Sequence, residues 1–165
     1  MANQRAQIVM SDDEVDTFLT QQRSSTVATV GAKGQVNLVA MWYVWHDGHV
    51  WIETKAKSQK VVNLRRDPRM SFLVEAGHTY DQLRGVALEG SGVVVEDADV
   101  VWDVCVRLFE RYNAPYTEEL RPIVELMARN RVVVRLDADR VRTWDHRKLG
   151  MDPIELGGST AAHLE

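Results

Sequence analysis

Residues 35–54 read QVNLVAMWYVWHDGHVWIET, and this stretch decides the fold. The Asp47-Gly48 pair is a strong signal for a tight hairpin turn, so we predict a strand over 35–45 and its partner over 49–54. Both faces of the first strand are apolar, whereas an antiparallel strand with one solvated face should alternate. A helix, a cofactor or a second subunit must cover its outer face, and we favour a combination of the last two.

The flanking sequence predicts further strands and helices. Three strands form an opening meander, and the glycines at 85, 90 and 92 indicate bulges or a bend in a later strand. The predicted helices cover 11–22, 58–66, 98–112 and 118–129, and the predicted strands cover 25–30, 35–45, 49–54, 70–75, 83–96, 131–136 and 140–144, with a turn at 137–139.

Six or seven antiparallel strands with few helices indicate a mainly β fold, a small closed or split β-barrel with flanking helices. The sequence shows no internal repeat and no linker. We therefore expect a single split-barrel domain over residues 1–150 and a flexible C-terminal tail over 151–165.

Composition sets several function classes aside. The longest apolar run, residues 38–45, is too short to span a bilayer, and residues 1–16 lack the apolar core of a signal peptide. Cys105 is the only cysteine, so an intrachain disulfide or a cysteine-rich zinc site is excluded. The formal net charge of −4 disfavours duplex DNA. We expect a cytoplasmic protein that binds neither nucleic acid nor membrane.

One short segment carries the opposite charge to the rest of the chain. Residues 54–69 read TKAKSQKVVNLRRDPR and hold six cations and one carboxylate. A helix that begins at Ser58 would present unpaired N–H groups beside Lys55, Lys57 and Lys60, which together could hold a phosphate. A solvated basic helix is the alternative that this pattern leaves open.

Catalytic signatures are scarce. The five histidines show no metal-ligand spacing, and no Walker, Rossmann or Gly-x-Ser-x-Gly motif is present. Trp42, Trp45 and Trp51 are most simply core or interface residues, with a ligand-bordering role as the alternative. We predict no catalytic side chain and no metal.

Three stretches carry a family resemblance: residues 27–75 (VATVGAKGQVNLVAMWYVWHDGHVWIETKAKSQKVVNLRRDPRMSFLVE), 83–90 (LRGVALEG) and 142–150 (RTWDHRKLG). They resemble the flavin-binding split-barrel superfamily that includes the pyridoxamine phosphate oxidases, and within it the actinobacterial branch that uses the deazaflavin coenzyme F420. The segment KSQKVVNLRRDPR is the most specific part, and the resemblance covers residues 17–150.

The resemblance implies a homodimer with two cofactor sites at its interface and a small-molecule substrate. The cofactor phosphate would lie at the lysine and serine corner, the ring beside the second strand, and three residues near the end of the fold would approach from the partner subunit. The cofactor-binding residues that it implies are Asn37, Val39, Ala40, Met41, Trp42, Thr54, Lys55, Lys57, Ser58, Gln59, Lys60, Asn63, Arg84, Gly85, Trp144, His146 and Arg147.

The choice of cofactor rests on the charge of the basic segment and on one difference from the pyridoxamine phosphate oxidase pattern. Pyridoxamine phosphate oxidases carry an Arg-Lys pair after the serine, whereas this chain has Gln59-Lys60. Six cations suit the phosphodiester and glutamate tail of coenzyme F420 better than the single phosphate of FMN, provided that Arg65, Arg66 and Arg69 do not pair elsewhere. The resemblance therefore implies an F420-dependent oxidoreductase that passes a hydride to an unsaturated or quinone-like acceptor.

Three alternatives accompany this interpretation. The first is an FMN-dependent oxidoreductase of the same fold, and the second is a non-catalytic protein that binds F420 or a tetrapyrrole. Single-stranded nucleic-acid binding through the basic segment and its neighbouring tryptophans is the third and least favoured.

Overall fold

The computed structural model describes residues 4–164 of the chain and contains five α-helices and seven β-strands in that range. The helices are α1 (Gln4–Gln7), α2 (Asp12–Gln21), α3 (Gln59–Arg66), α4 (Ala98–Tyr112) and α5 (Arg121–Ala128). The strands are β1 (Ser25–Val30), β2 (Val36–Met41), β3 (Val44–His46), β4 (His49–Lys55), β5 (Arg69–Ala76), β6 (Arg84–Val95) and β7 (Arg131–Asp145). The sequence pattern did not predict α1.

The seven strands form one antiparallel sheet in the order β2-β1-β5-β6-β7-β4-β3. Its two edge strands, β2 and β3, are consecutive in the chain and are joined only by Trp42 and Tyr43. Because two residues cannot cross the width of a flat seven-stranded sheet, the sheet must curl until its edges meet. This curled sheet confirms the predicted split barrel.

The prediction of one strand over 35–45 is wrong at residues 42 and 43. The chain leaves β2 there and enters the opposite edge of the sheet, so β2 pairs with β1 and β3 pairs with β4. The continuous apolar run concealed this break, because Tyr43 turns into the core, where its hydroxyl donates to Leu19 O at 2.7 Å. The predicted three-stranded meander is therefore replaced by two separate strand pairs.

The predicted turn at residues 137–139 is also wrong, because β7 runs unbroken through it. The register with β6 shifts there: Gly90 pairs with Ala138 and Glu89 pairs with Arg140, which leaves Asp139 as the extra residue of a bulge. A Cβ on Gly90 would lie 2.0 Å from Asp137 O, so only glycine permits this approach. The glycines predicted a bulge, and this bulge lets β7 continue through the residues where a turn was predicted.

Two apolar clusters stabilise the fold. One fills the barrel, where Phe72 and Ile52 are buried beneath α2. The other lies between the opposite face of β3, β4 and β7 and the helices α4 and α5, with Cys105 fully buried in it. Every helix between residues 4 and 164 is too short or too polar to cross a membrane.

The C-terminal segment lies largely outside the regular elements. Residues 151–157 contain no helix or strand, and a single 3₁₀ turn follows at Ala161–His163. Nearly all of these residues are exposed. The end of the predicted tail, residue 165, and the start of the predicted domain, residues 1–3, lie outside the described residues.

Candidate functional site

A groove of about 470 Å³ occupies the split between the two edges of the sheet. One wall is the end of β2 and the link that follows it, and the other is the end of β4, beyond its pairing with β3. The lining residues are Ala40, Met41, Trp42, Glu53, Thr54, Lys55, Ser58, Lys60, Leu108, Met127 and Arg131. Seven of these eleven are among the predicted cofactor-binding residues.

The N-terminus of α3 opens at the polar end of this groove. Ser58 is the N-cap residue, but its hydroxyl accepts from Thr54 Oγ1 at 3.1 Å and makes no capping bond to the helix. The first turn of α3 contains no acidic residue. The first N–H groups of the helix therefore keep their capacity to donate to an anion.

Lys60 lies in this first turn and is half-buried against the groove. Its Nζ donates to Thr54 Oγ1 at 3.0 Å. Burial lowers the pKa of Lys60, while Glu53 acts to raise this pKa and Arg131 adds to its fall. A half-buried lysine ammonium beside unpaired helix N–H groups forms a site of the kind that binds phosphate.

An ion pair between Glu53 and Arg131 also lines the groove. Arg131 Nε lies 2.9 Å from Glu53 Oε1, at an angle that makes an ion pair and not a hydrogen bond. Burial raises the pKa of Glu53, against the charges of Arg131 and Lys60. Lys55 and Arg131 are also direct partners across β4 and β7, so two cations are neighbours here and Glu53 offsets the charge of Arg131.

Buried amides support α3 from below. Asn63 is fully buried, and its Nδ2 donates to Thr29 Oγ1 and to Asn37 Oδ1, each at 3.0 Å. Its Oδ1 accepts from Gln59 Nε2 at 2.9 Å. Of the predicted residues, Asn63 thus lies on the buried face of α3, bonded to Asn37 on β2, and neither lines the groove. Val39, Lys57 and Gln59 are exposed and do not line it either.

The three arginines of the basic segment point to other partners. Arg65 forms an ion pair with Glu96, and Arg69 forms one with Asp67 at 2.6 Å. Arg66 donates to the carbonyl of Val30. Only the three lysines of this segment remain for a ligand in the groove, so the count of six cations no longer favours a multiply charged cofactor over FMN.

Five predicted residues lie elsewhere in the same chain, at the far end of β7. Gly85 pairs with Trp144, and a Cβ on this glycine would lie 2.1 Å from the indole ring. Arg84 and Arg147 line two pockets there, and His146 lines another with Trp144. β7 is 15 residues long, and Arg131 at its other end lines the groove. A single chain therefore does not bring these five residues to the groove.

Sequence reasoning missed four lining residues, namely Glu53, Leu108, Met127 and Arg131. Arg131 enters the groove only through the register of β4 with β7, which no short motif encodes. Glu53 stands directly before the basic segment 54–69, and an acidic residue in a strand that leads into three lysines was the one available signal. Within residues 4–164, no three His, Cys, Asp or Glu side chains are grouped as metal ligands would be.

Two comparisons with solved structures support the fold. The chain matches a conserved hypothetical protein of Mycobacterium tuberculosis with a TM-score of 0.93 and 54% identity, over 94% of this chain and 98% of that one. It matches a structure described as an F420 reductase with a TM-score of 0.62 and 22% identity, over 77% of this chain and 94% of that one. At that identity, the second likeness shows the fold alone.

Sequence comparisons identify the family. A curated relative, the F420H(2)-dependent biliverdin reductase of Mycobacterium tuberculosis (strain CDC 1551 / Oshkosh), is 29% identical over 119 residues, which is 71% of this chain and 82% of that protein. The family model described as pyridoxamine 5'-phosphate oxidase matches residues 11–145. This match spans the whole barrel and confirms the family predicted from the sequence. The chain therefore belongs to the pyridoxamine 5'-phosphate oxidase family.

Proposed function

We propose that this protein is an oxidoreductase that binds coenzyme F420 in the groove and reduces a small unsaturated or quinone-like acceptor. The observation that carries the proposal is the groove itself, which joins an apolar cleft to a helix N-terminus flanked by lysines. The 29% identity to an F420H(2)-dependent reductase supports this choice of cofactor.

The groove residues suit the two chemical halves of a deazaflavin. Lys55, Ser58 and Lys60 offer charged and hydroxyl donors to its phosphodiester, together with the N–H groups of α3. Ala40, Met41 and Trp42 offer an apolar wall to its planar ring. When bound, the reduced deazaflavin supplies the hydride, so the protein needs to supply only orientation and electrostatics.

The charged and apolar side chains at the groove, and the buried Asn63 that supports α3, then have separate roles. Lys60 is held by Thr54 and binds the phosphate, and Asn63 fixes the helix that carries Lys60. Glu53 offsets the charge of Arg131, which limits the repulsion among the cations before a ligand arrives. The apolar side chains exclude water from the ring.

The proposal includes a homodimer that completes each groove. The outer face of β2 exposes Val36 and Leu38 at 64% and 68%, and their partners on β1, Val30 and Ala28, face the same way. An exposed apolar face on two paired strands is typical of a subunit interface. Across this interface, Trp144, His146 and Arg147 of the partner subunit would contact the groove. In a single chain, the same three residues do not line it.

FMN is the second candidate cofactor, because three lysines satisfy a single phosphate equally well. A fluorescence titration of the purified protein with coenzyme F420 and with FMN separates the two, and we expect saturable binding of F420 at lower concentration. Tighter binding of FMN would overturn the choice of cofactor.

Turnover separates an enzyme from a carrier. Reduced F420 should be oxidised in the presence of at least one member of a panel of enones, quinones and biliverdin, at a rate above the protein-free control. Tight F420 binding with no turnover across the panel would instead favour the non-catalytic alternative.

A further inference from the structure

One part of the groove has no role in binding the proposed cofactor. In the proposed function, the ring lies against the end of β2, and the phosphodiester lies at the lysines and the start of α3. The remaining lining residues come from β4, β7 and the two helices outside the barrel. They are Glu53, Arg131, Leu108 and Met127, and together we call them the helix-side wall.

The alternation of β4 sets this wall apart from the start of α3. Successive side chains of a strand point to opposite faces, so Glu53 points away from the face of Thr54, to which Ser58 and Lys60 are bonded. Val133, the direct partner of Glu53 on β7, is buried in the cluster that α4 and α5 cover. The wall therefore faces these two helices, whereas Ser58 and Lys60 are held on the other face of the strand.

Arg131 presents a guanidinium with unused donors to the groove. Its side chain is 30% exposed, and its one ion-pair contact within residues 4–164 is with Glu53. A guanidinium carries five N–H donors in a planar fork, which matches the two oxygens of a carboxylate. Because the contact with Glu53 is not a hydrogen bond, the fork of Arg131 remains available to a ligand.

Glu53 balances the charge of Arg131 without occupying its fork. The Glu53 side chain is 16% exposed, and its Oε1 accepts no hydrogen bond from the described residues. Burial raises the pKa of this carboxyl, against the charges of Arg131 and Lys60. Arg131 is thus held beside a carboxylate that burial makes costly to ionise, and a ligand carboxylate with better geometry can replace that contact.

The charge of the lining residues favours an anion even when the phosphate corner is filled. Lys55, Lys60 and Arg131 are the cations of the groove lining, and Glu53 is its one acid. The balance is two positive charges, whereas a phosphodiester carries one negative charge. One positive charge is therefore left after the phosphodiester binds, and Arg131 is the cation that the lysine corner does not use.

Two apolar side chains complete the wall. Leu108 on α4 is buried and Met127 on α5 is half-buried, and both line the groove. Methionine is flexible and polarizable, so it packs against ligands of irregular shape. The wall thus combines one guanidinium with an apolar surface, an arrangement that suits an apolar molecule with a single carboxylate.

We propose that the helix-side wall binds the acceptor, and that the acceptor is an apolar unsaturated carboxylic acid with its carboxylate on Arg131 and its apolar body against Leu108 and Met127. This inference rests on the proposed function, because it names the class of acceptor that the groove takes. A neutral quinone would leave the fork of Arg131 unused, and a small polar anion would leave the apolar surface uncovered.

Ligand-observed NMR with the full-length protein, without cofactor, tests this site. The probes are cinnamate, its neutral counterpart cinnamamide, and acetate, which carries the carboxylate without the apolar body. We expect cinnamate to bind about tenfold more tightly than either of the other two, because only cinnamate uses both parts of the wall. Equal binding of cinnamate and cinnamamide would overturn the proposal.

Variants of the charged pair should have opposite effects. Arg131→Gln should weaken cinnamate binding about tenfold, and Arg131→Lys should keep part of the affinity. Glu53→Gln removes the competing carboxylate and should tighten cinnamate binding. Arg135→Gln is the matched control, because Arg135 lies on the same strand outside the groove and is paired with Asp137 at 2.6 Å. Unchanged cinnamate binding in Arg131→Gln would overturn the proposal.

Two further measurements keep the outcome interpretable. Arg131→Gln leaves a buried Glu53 without its partner, so circular dichroism and thermal melting establish folding, and the double variant Glu53→Gln with Arg131→Gln replaces it if the single variant does not fold. A loss of F420 affinity in Arg131→Gln as large as its loss of cinnamate affinity would assign Arg131 to the phosphodiester and overturn the proposal. Cinnamate binding is measured without F420, so a failed F420 titration would refute the proposed cofactor and not this site.

Discussion

The indole of Trp42 stacks on the phenol ring of Tyr112, with the ring centroids 4.4 Å apart and the planes inclined by 3°. Trp42 belongs to the link between the two sheet edges, and Tyr112 is the last residue of α4. The Tyr112 hydroxyl accepts the N–H of Tyr43 at 3.1 Å. These two contacts fasten the wall of the groove to the helix layer outside the barrel.

Removal of the Tyr112 hydroxyl should therefore destabilise the link. We expect Tyr112→Phe to lower the free energy of unfolding by about 1 to 2 kcal/mol, because the Tyr43 N–H loses its acceptor while the stacking remains. Urea unfolding measures this change. Tyr116→Phe is the matched control, since that hydroxyl donates to exposed Glu118 beside Arg121, at the surface, and we expect a change within about 0.5 kcal/mol. Equal effects of the two variants would contradict the role of the Tyr112 hydroxyl.

Lys60→Ala should weaken F420 binding at least tenfold, which corresponds to about 1.4 kcal/mol. The variant removes the only ammonium group that is both half-buried and in the first turn of α3. Addition of Lys57→Ala should weaken binding further, and a fluorescence titration measures both steps. Lys33→Ala, at an exposed turn, should bind as the wild type does. Unchanged affinity in the double variant would remove the phosphate site from this corner.

The pH dependence of stability should report on Glu53. Its folded-state pKa is raised above the unfolded value of about 4.3, so the native state holds this proton more tightly. This contribution to stability is complete below the unfolded pKa and is lost as pH rises through the raised pKa. We expect the stability of the wild type, relative to Glu53→Gln, to fall between pH 4 and neutrality.

Urea unfolding of both proteins across that range gives the difference directly, and it cancels the carboxylates that the two share. A difference that grows with pH would mean that the Arg131 pair outweighs the burial of Glu53.

Gly90→Ala should be among the most destabilising single-methyl changes in the barrel. The new Cβ would meet the backbone at Asp137, which cannot move without displacing β7, so we expect a loss of about 2 to 3 kcal/mol. Gly157→Ala adds the same methyl group at an ordinary contact distance, 3.9 Å from Glu155 O, and should change stability by less than about 0.5 kcal/mol. Chemical denaturation of both variants provides the test, and a tolerated Gly90→Ala would show that the bulge can relax.

Leu38→Glu should dissociate the proposed homodimer. A carboxylate on the outer face of β2 would be buried against the partner subunit of the proposed dimer, and burial of the charge is costly. Leu126→Glu is the matched control, because Leu126 on α5 is 67% exposed and Leu38 is 68% exposed. Light scattering after gel filtration should give a smaller mass for Leu38→Glu alone. A monomeric wild type, or equal masses for both variants, would refute the interface.

The barrel could be predicted because its strands are marked by local signals. The Asp47-Gly48 turn and the β-branched run at 25–30 indicate strands without any knowledge of their partners. The break at Trp42 and Tyr43 could not be predicted, because both residues are apolar and continue the pattern on either side. The bulge at Asp139 depends on Gly90, a residue 49 positions earlier, so a local reading of 137–139 indicated a turn.

The candidate site divides in the same way. Lys55, Ser58 and Lys60 are close in sequence and lie at a helix start, so a local pattern brought them together. Glu53 and Arg131 meet through strand register, and the pairing of Arg65 with Glu96 also joins residues that are 31 positions apart. Long-range pairings of this kind decide which charges remain for a ligand, and only the folded chain reveals them.

The short connection between β2 and β3 also limits how the cleft can move. From Met41 to Val44 the chain can extend over at most about 11 Å, and the buried ring of Tyr43 anchors its middle. The connection therefore fixes the distance between the two sheet edges at its own end of the groove. The groove can widen only at the other end, beside α3. A long ligand must enter ring first from that end and leave its tail outside, so tail length should affect affinity much less than the shape of the ring.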